Sequence, residues 1–111
     1  MMRHALRTLF VSAGYICAEA ENGAQALERA EELKPDLIVL DFSMPVMNGL
    51  EAAPLFKKRF PQTPIIMFTL FATEALAKVA VSAGVTAVIS KETAAIQLIP
   101  KVEAILKSPS N

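Results

Sequence analysis

The chain has 111 residues, 53% hydrophobic and 20% charged, which excludes intrinsic disorder and fits one domain around one core. Eleven Lys and Arg balance 11 Asp and Glu, and a formal charge of zero argues against a general nucleic-acid binder held by phosphate contacts. A single cysteine, Cys17, rules out an internal disulfide and reads as a buried, inert thiol. No apolar run approaches the ~20 residues needed to span a bilayer, and the N-terminus lacks a signal-peptide core. A soluble cytoplasmic protein is therefore expected. Residues 1–56 carry four basic and eight acidic side chains, and residues 57–111 carry seven and three. The two halves are expected to interleave in the fold.

Met2, Leu6, Leu9, Phe10 and Ala13 share one face of a helix that Gly14 should end. Tyr15 to Ala20 reads as a short strand. Asn22 can cap a second helix, with Ala26, Leu27, Ala30 and Leu33 in one stripe, and Pro35 stops it. Leu37–Leu40 is a continuous apolar run between Asp36 and Asp41, as in a strand covered on both faces. Ser43 to Gly49 is a loop. Asn48 and Glu51 fit a capping pair for a helix from Gly49 to Phe60, which Pro54 interrupts. Pro64 to Thr69 is a second fully apolar strand. Thr73 can cap a helix that Gly84 closes, and Val85 to Ser90 is a short strand. From Thr93 a final helix carries Ile96, Ile99, Val102, Ile105 and Leu106 on one side, with Pro100 either kinking it or in its first turn.

This α-β-α-β-α-β-α-β-α order specifies a parallel sheet with helices on both faces, whose functional groups collect at the carboxyl ends of the strands. Asp41, Thr69 and Lys91 stand at successive strand ends and so on one edge. Singly, each has an ordinary explanation: a strand-terminating Asp, a strand hydroxyl, a solvated lysine. Together they can do specific chemistry. A carboxylate can attack phosphorus and become an acyl phosphate. A hydroxyl and an ammonium beside it can hold the phosphoryl oxygens, and a divalent metal usually shares that charge.

The stretch from Pro35 to Gly49, with its Asp-x-x-Met-Pro-x-Met-Asn-Gly run, closely resembles the phosphoacceptor region of response-regulator receiver domains. The resemblance continues through Pro64–Thr69, Ala83–Val85 and Ile89–Lys91, and covers about residues 2–107, leaving residues 108–111 as a tail. It implies an α/β, flavodoxin-like, doubly wound parallel sheet. It implies Asp41 as acceptor of a phosphoryl group from a sensor histidine kinase, Thr69 as the switch hydroxyl and Lys91 as the phosphoryl contact. It also implies Mg²⁺ as cofactor, with Asp41 and the backbone carbonyl of Ser43 as ligands, and Pro45 and Gly49 shaping the loop.

The chain also departs from the family. Receivers begin with a strand ending in two acidic residues, whereas here Met1 stands at the start of the first helix and the first acidic residue is Glu19. Four strands and five helices are therefore expected. The missing strand would be compensated by direct strand pairing or by association into a homodimer or strand-exchanged oligomer. Mg²⁺ binding is expected to be weak or absent, and phosphorylation slower by orders of magnitude. Val88, where many receivers carry an aromatic switch residue, reads as plain strand core. Phe71 could cover the site or simply pack. The apolar stretch from Ala72 to Ser90 could be extra core or an interface. His4, without a His or Cys neighbour, reads as a surface or packing residue.

The leading expectation is a signalling module, not an enzyme, that switches partner binding, with no direct contact to nucleic acid or membrane. The alternative is a receiver-like scaffold that no longer takes phosphate. An aspartyl-phosphate phosphatase is disfavoured, because Ser43 stands where such hydrolases often place a general-acid Asp.

Overall fold

The computed structural model describes residues 10–15, 22–42, 47–70 and 72–107. Four complete helices and three strands alternate: α1 (Gly23–Leu33), β1 (Ile38–Asp41), α2 (Gly49–Arg59), β2 (Ile65–Thr69), α3 (Glu74–Ser82), β3 (Ala87–Ser90) and α4 (Ala94–Lys107). A helical turn at residues 10–12 precedes them and completes the set of five. Glycine ends that turn as expected. Gly14 has a φ of +93°, and the N–H groups of Gly14 and Tyr15 donate to the carbonyls of Val11 and Phe10 at 3.0 and 2.9 Å. The pattern is a Schellman motif, which needs a left-handed residue at the glycine. Gly84 repeats it behind α3: φ is +98°, and the Gly84 and Val85 N–H groups donate to Val81 and Ala80.

The expected caps form. The Asn22 side chain accepts from the Gln25 N–H, and the Thr73 hydroxyl accepts from the Leu76 N–H. At α2 the full capping box is present: Asn48 Oδ1 accepts from the Glu51 N–H at 2.9 Å, and Glu51 Oε1 accepts from the Asn48 N–H at 3.1 Å. Each cap satisfies amide donors that a helix start leaves unpaired.

The strands form one parallel sheet in the order β1-β2-β3, with Asp41 in register with Phe68 and Thr69 with Ser90. All five residues of β2 are buried, which is why its sequence shows no polar alternation. Its side chains divide between two cores. Ile65 and Met67 join Ile38 and Leu40 against Leu27 and Ala30 of α1, Ala52, Ala53 and Phe56 of α2 and Ala80 of α3. Ile66 and Phe68 join Ile89 against Phe10 and Ala94, Leu98 and Val102 of α4. The sheet thus has helices on both faces.

Two packing expectations need correction. On α4 the buried line is Ala94, Leu98 and Val102, while Ile96 is 79% exposed and Leu106 is exposed. At 100° per residue, Ile96 lies about 200° around the helix from Ala94 and so on the opposite face. On α1, Leu33 is exposed although it shares the apolar stripe, because the helix ends there and Lys34 turns away in the left-handed region. Both internal prolines, Pro54 and Pro100, lie on exposed helix positions. Water can solvate the carbonyl each leaves without a donor. Pro100 is inside α4 rather than in its first turn. The sheet has three strands among the described residues; most of the expected Tyr15–Ala20 strand lies outside them, as do His4, Cys17, Ser43, Pro45 and Phe71.

Candidate functional site

Asp41 is the last residue of β1, Thr69 the last of β2, and Lys91 directly follows β3. Because the strands are parallel, all three stand at the carboxyl edge. The Lys91 N–H donates to the Thr69 carbonyl at 2.8 Å, and the Phe42 N–H donates to the Phe68 carbonyl at 2.8 Å. These bonds continue the ladder one step past the strands and fix where the site's side chains begin.

Lys91 then reaches over the end of β2. Its Nζ lies 2.9 Å from both Asp41 oxygens, donating to Oδ2 and ion-paired with Oδ1. With strands roughly 4.8 Å apart, the distance from β3 to β1 is on the order of 10 Å, a span that suits a long, flexible stem. The pair is asymmetric. The Lys91 side chain is 12% exposed and that of Asp41 36%. Thr69 is 1% exposed, the only polar residue in the described core.

Helix α2 closes on this edge from the side. Gly49 is buried at its first position, and its N–H donates to the Phe42 carbonyl at 3.3 Å. A Cβ there would stand 3.2 Å from the Asp41 carbonyl oxygen, 3.2 Å from Met67 Cε and 3.3 Å from Phe42 Cα. Glycine thus lets the helix start lie against the backbone that carries Asp41. Val88 is partly buried and packs against the α1–α3 core.

The three residues singled out from sequence are therefore brought to one edge, where Lys91 meets Asp41 through its side chain and Thr69 through its backbone N–H. The sequence places an ammonium beside the Asp41 carboxylate; the structure adds that Lys91 meets both of its oxygens. The close approach at Gly49 is not readable from sequence, which gives it a helix start and a loop-shaping role.

The family model for the response regulator receiver domain matches residues 1–103. The chain belongs to the response regulator receiver domain family. Among curated relatives, it is 38% identical to the chemotaxis protein CheY of Thermotoga maritima over 84 residues, covering 75% of this chain and 70% of that protein. It is 36% identical to the response regulator protein VraR of Staphylococcus saprophyticus over 96 residues, covering 86% of this chain and 44% of that regulator. The match to the Bacillus subtilis transcriptional regulatory protein LnrK spans 41% of that protein, so the receiver corresponds to less than half of either longer regulator. Among solved structures, the response regulator domain of Thermotoga maritima CheB superposes with a TM-score of 0.87 at 30% identity, covering 97% of this chain and 90% of that one. The receiver domain of NtrX from Brucella abortus gives 0.89 at 24% identity, covering 97% and 92%, and supports the fold. Receiver domains act in two-component signalling with sensor histidine kinases, and they generally bind Mg²⁺.

Of the Mg²⁺ ligands that the resemblance implies, Asp41 is among the described residues and Ser43 is not. Mg²⁺ favours near-octahedral oxygen coordination with carboxylates in its shell. Among the described residues, no group of three or more His, Cys, Asp or Glu could hold a metal ion. Asp41 is met at both oxygens by Lys91, and the Glu51 carboxylate accepts from the Asn48 N–H. Among the described residues, no helix is long and apolar enough to cross a membrane.

Proposed function

We propose that this receiver accepts a phosphoryl group on Asp41 from a sensor histidine kinase and thereby changes which partners it binds. The observation that carries this reading is the Asp41–Lys91 pair, with an Asp41 side chain more exposed than that of Lys91, at the carboxyl edge of the sheet. In the transfer, an Asp41 carboxylate oxygen forms a bond to phosphorus as the P–N bond of the donor phosphohistidine breaks. The departing imidazole nitrogen takes a proton. Lys91 then sits beside a more negative group than before, and its ammonium offsets part of the charge on the phosphoryl oxygens. Thr69, one strand over, is the hydroxyl placed to follow that change.

The second reading is a scaffold that binds partners without being phosphorylated. Among the described residues no group of three or more His, Cys, Asp or Glu could hold a metal ion, which favours it. An intact-mass measurement after incubation with a small acyl phosphate separates the two. A single added phosphoryl group, absent from Asp41→Asn, supports the acceptor role. No addition from the small donor or from a phosphorylated kinase domain supports the scaffold.

A further inference from the structure

We propose that Gly23, the first residue of α1, is a positioning residue for phosphoryl transfer at Asp41: it lets α1 bear directly on Met47 and so fixes the segment that joins Asp41 to α2. The inference rests on the acceptor reading of Asp41.

The available space supports it. A Cβ built on Gly23 would stand 2.9 Å from the Met47 carbonyl oxygen and 3.0 Å from both Met47 Cβ and Met47 Cγ. Real Cβ atoms do not come so close, so any side chain here forces something to shift. The carbonyl oxygen and Cβ move only with the Met47 backbone, so rotating the methionine cannot relieve the contact. Helix α1 is held: Gly23 is buried, Asn22 caps the helix, and Leu27 and Ala30 pack in the core with Ile38 and Leu40. Helix α2 is held by Ala52, Ala53 and Phe56. Met47 is only partly buried and belongs to neither helix, so it is the part that gives way.

The push reaches Asp41 along a short path. Met47 is two residues from Gly49, which lies so close to the Asp41 carbonyl that a Cβ would stand 3.2 Å from it. The Gly49 N–H also donates to the Phe42 carbonyl at 3.3 Å. Two close contacts therefore stand in series, Gly23 on Met47 and Gly49 on Asp41. Transfer needs the attacking oxygen aligned with phosphorus, and a misplacement of about 1 Å can cost about a hundredfold in rate. A shift of a few tenths of an ångström should then slow transfer by about threefold to tenfold.

The test uses the whole chain with acetyl phosphate and Mg²⁺, following added mass with time, and the Phe42 amide resonance by NMR without the donor. Gly23→Ala is expected to slow the transfer by about threefold to tenfold and to move the Phe42 resonance. Ala24→Gly, at an exposed position on the same helix, loses helix propensity without touching Met47 and should stay within about twofold on the native Phe42 resonance. Met47→Gly removes two of the three crowding atoms. It should slow the transfer by itself and shrink the further effect of Gly23→Ala to less than about twofold. A native rate and an unmoved Phe42 resonance in folded Gly23→Ala overturn the proposal. So does equal slowing in Ala24→Gly, which would make the effect one of helix stability, or an undiminished effect of Gly23→Ala beside Met47→Gly. Should Gly23→Ala not fold, Met47→Gly decides, and a native rate there overturns the proposal. If the native chain gains no phosphoryl group, the acceptor reading fails, and the Phe42 resonance alone decides whether Gly23 sets the backbone at Asp41.

Discussion

Replacing Gly49 by alanine sets two effects against each other. Alanine is the better helix former, by up to about 1 kcal/mol in a helix interior and less at a first position. Against that stands the space. The new methyl would meet a backbone oxygen at 3.2 Å, Met67 Cε at 3.2 Å and a backbone Cα at 3.3 Å. Met67 can shift, but the Asp41 carbonyl and Phe42 Cα belong to the end of β1, which the ladder to β2 holds in place. Helix α2 must then move out by a few tenths of an ångström, loosening Ala52, Ala53 and Phe56 in the core below. Overpacking of this kind costs roughly 1–3 kcal/mol, so the steric term wins and Gly49→Ala is expected to destabilise by about 1 kcal/mol net. For a domain of this size that lowers the midpoint of thermal unfolding by about 4–8 °C. Calorimetry reads the shift, and amide resonances of Phe42 and Lys91 should move with it. An unchanged or raised midpoint would refute the claim that α2 is pressed against the Asp41 backbone.

Gly84→Ala should cost more, at least ~1 kcal/mol, because φ there is +98° and the added Cβ would stand 2.4 Å from Lys57 Cγ; urea unfolding measures it. Asn48→Ala removes the acceptor for the Glu51 N–H and should destabilise by about 1 kcal/mol, whereas Asn48→Asp, which keeps an acceptor, should lose far less. Partial burial holds the Lys57 ammonium below the ordinary lysine range. The folded state therefore sheds this proton before the unfolded state does, and Lys57 should add slightly to stability as pH rises through the alkaline lysine range. Denaturant midpoints compared with those of Lys57→Arg, which stays charged, isolate that term.

Much of this architecture is legible in local chemistry. Asn22, Asn48 and Thr73 are short polar side chains just ahead of apolar periodic runs, and each caps the expected helix. Gly14 and Gly84 mark left-handed turns because other residues pay a steric penalty there. The apolar run of β2 reads directly as a strand buried on both faces. What sequence could not show depends on neighbours distant in the chain. Ile96 fits an apolar stripe by composition, yet α4 faces the sheet through Ala94, Leu98 and Val102, a choice made by the contour of Ile66, Phe68 and Ile89. Asp41, Thr69 and Lys91 could be assigned to one edge, but that the lysine crosses β2 to meet both carboxylate oxygens depends on strand order. The closeness of Gly49 to Asp41 depends on the angle at which α2 enters.

The division of β2 between two cores has a mechanical consequence. Ile66 and Phe68 face one helix layer, and Ile65 and Met67 the other, so adjacent residues of this strand fill different, separately shaped spaces. A slip of one residue would send each set to the other face; in one direction the Phe68 ring would enter the space of Met67 and Met67 that of Ile66. Both cores thus act as stops on the same sliding coordinate. Thr69 is the next residue along that strand, and its carbonyl receives the Lys91 N–H. The position of the ammonium over Asp41 is therefore indexed by the packing of the strand that precedes Thr69, and two apolar cores set where the site's charge can stand.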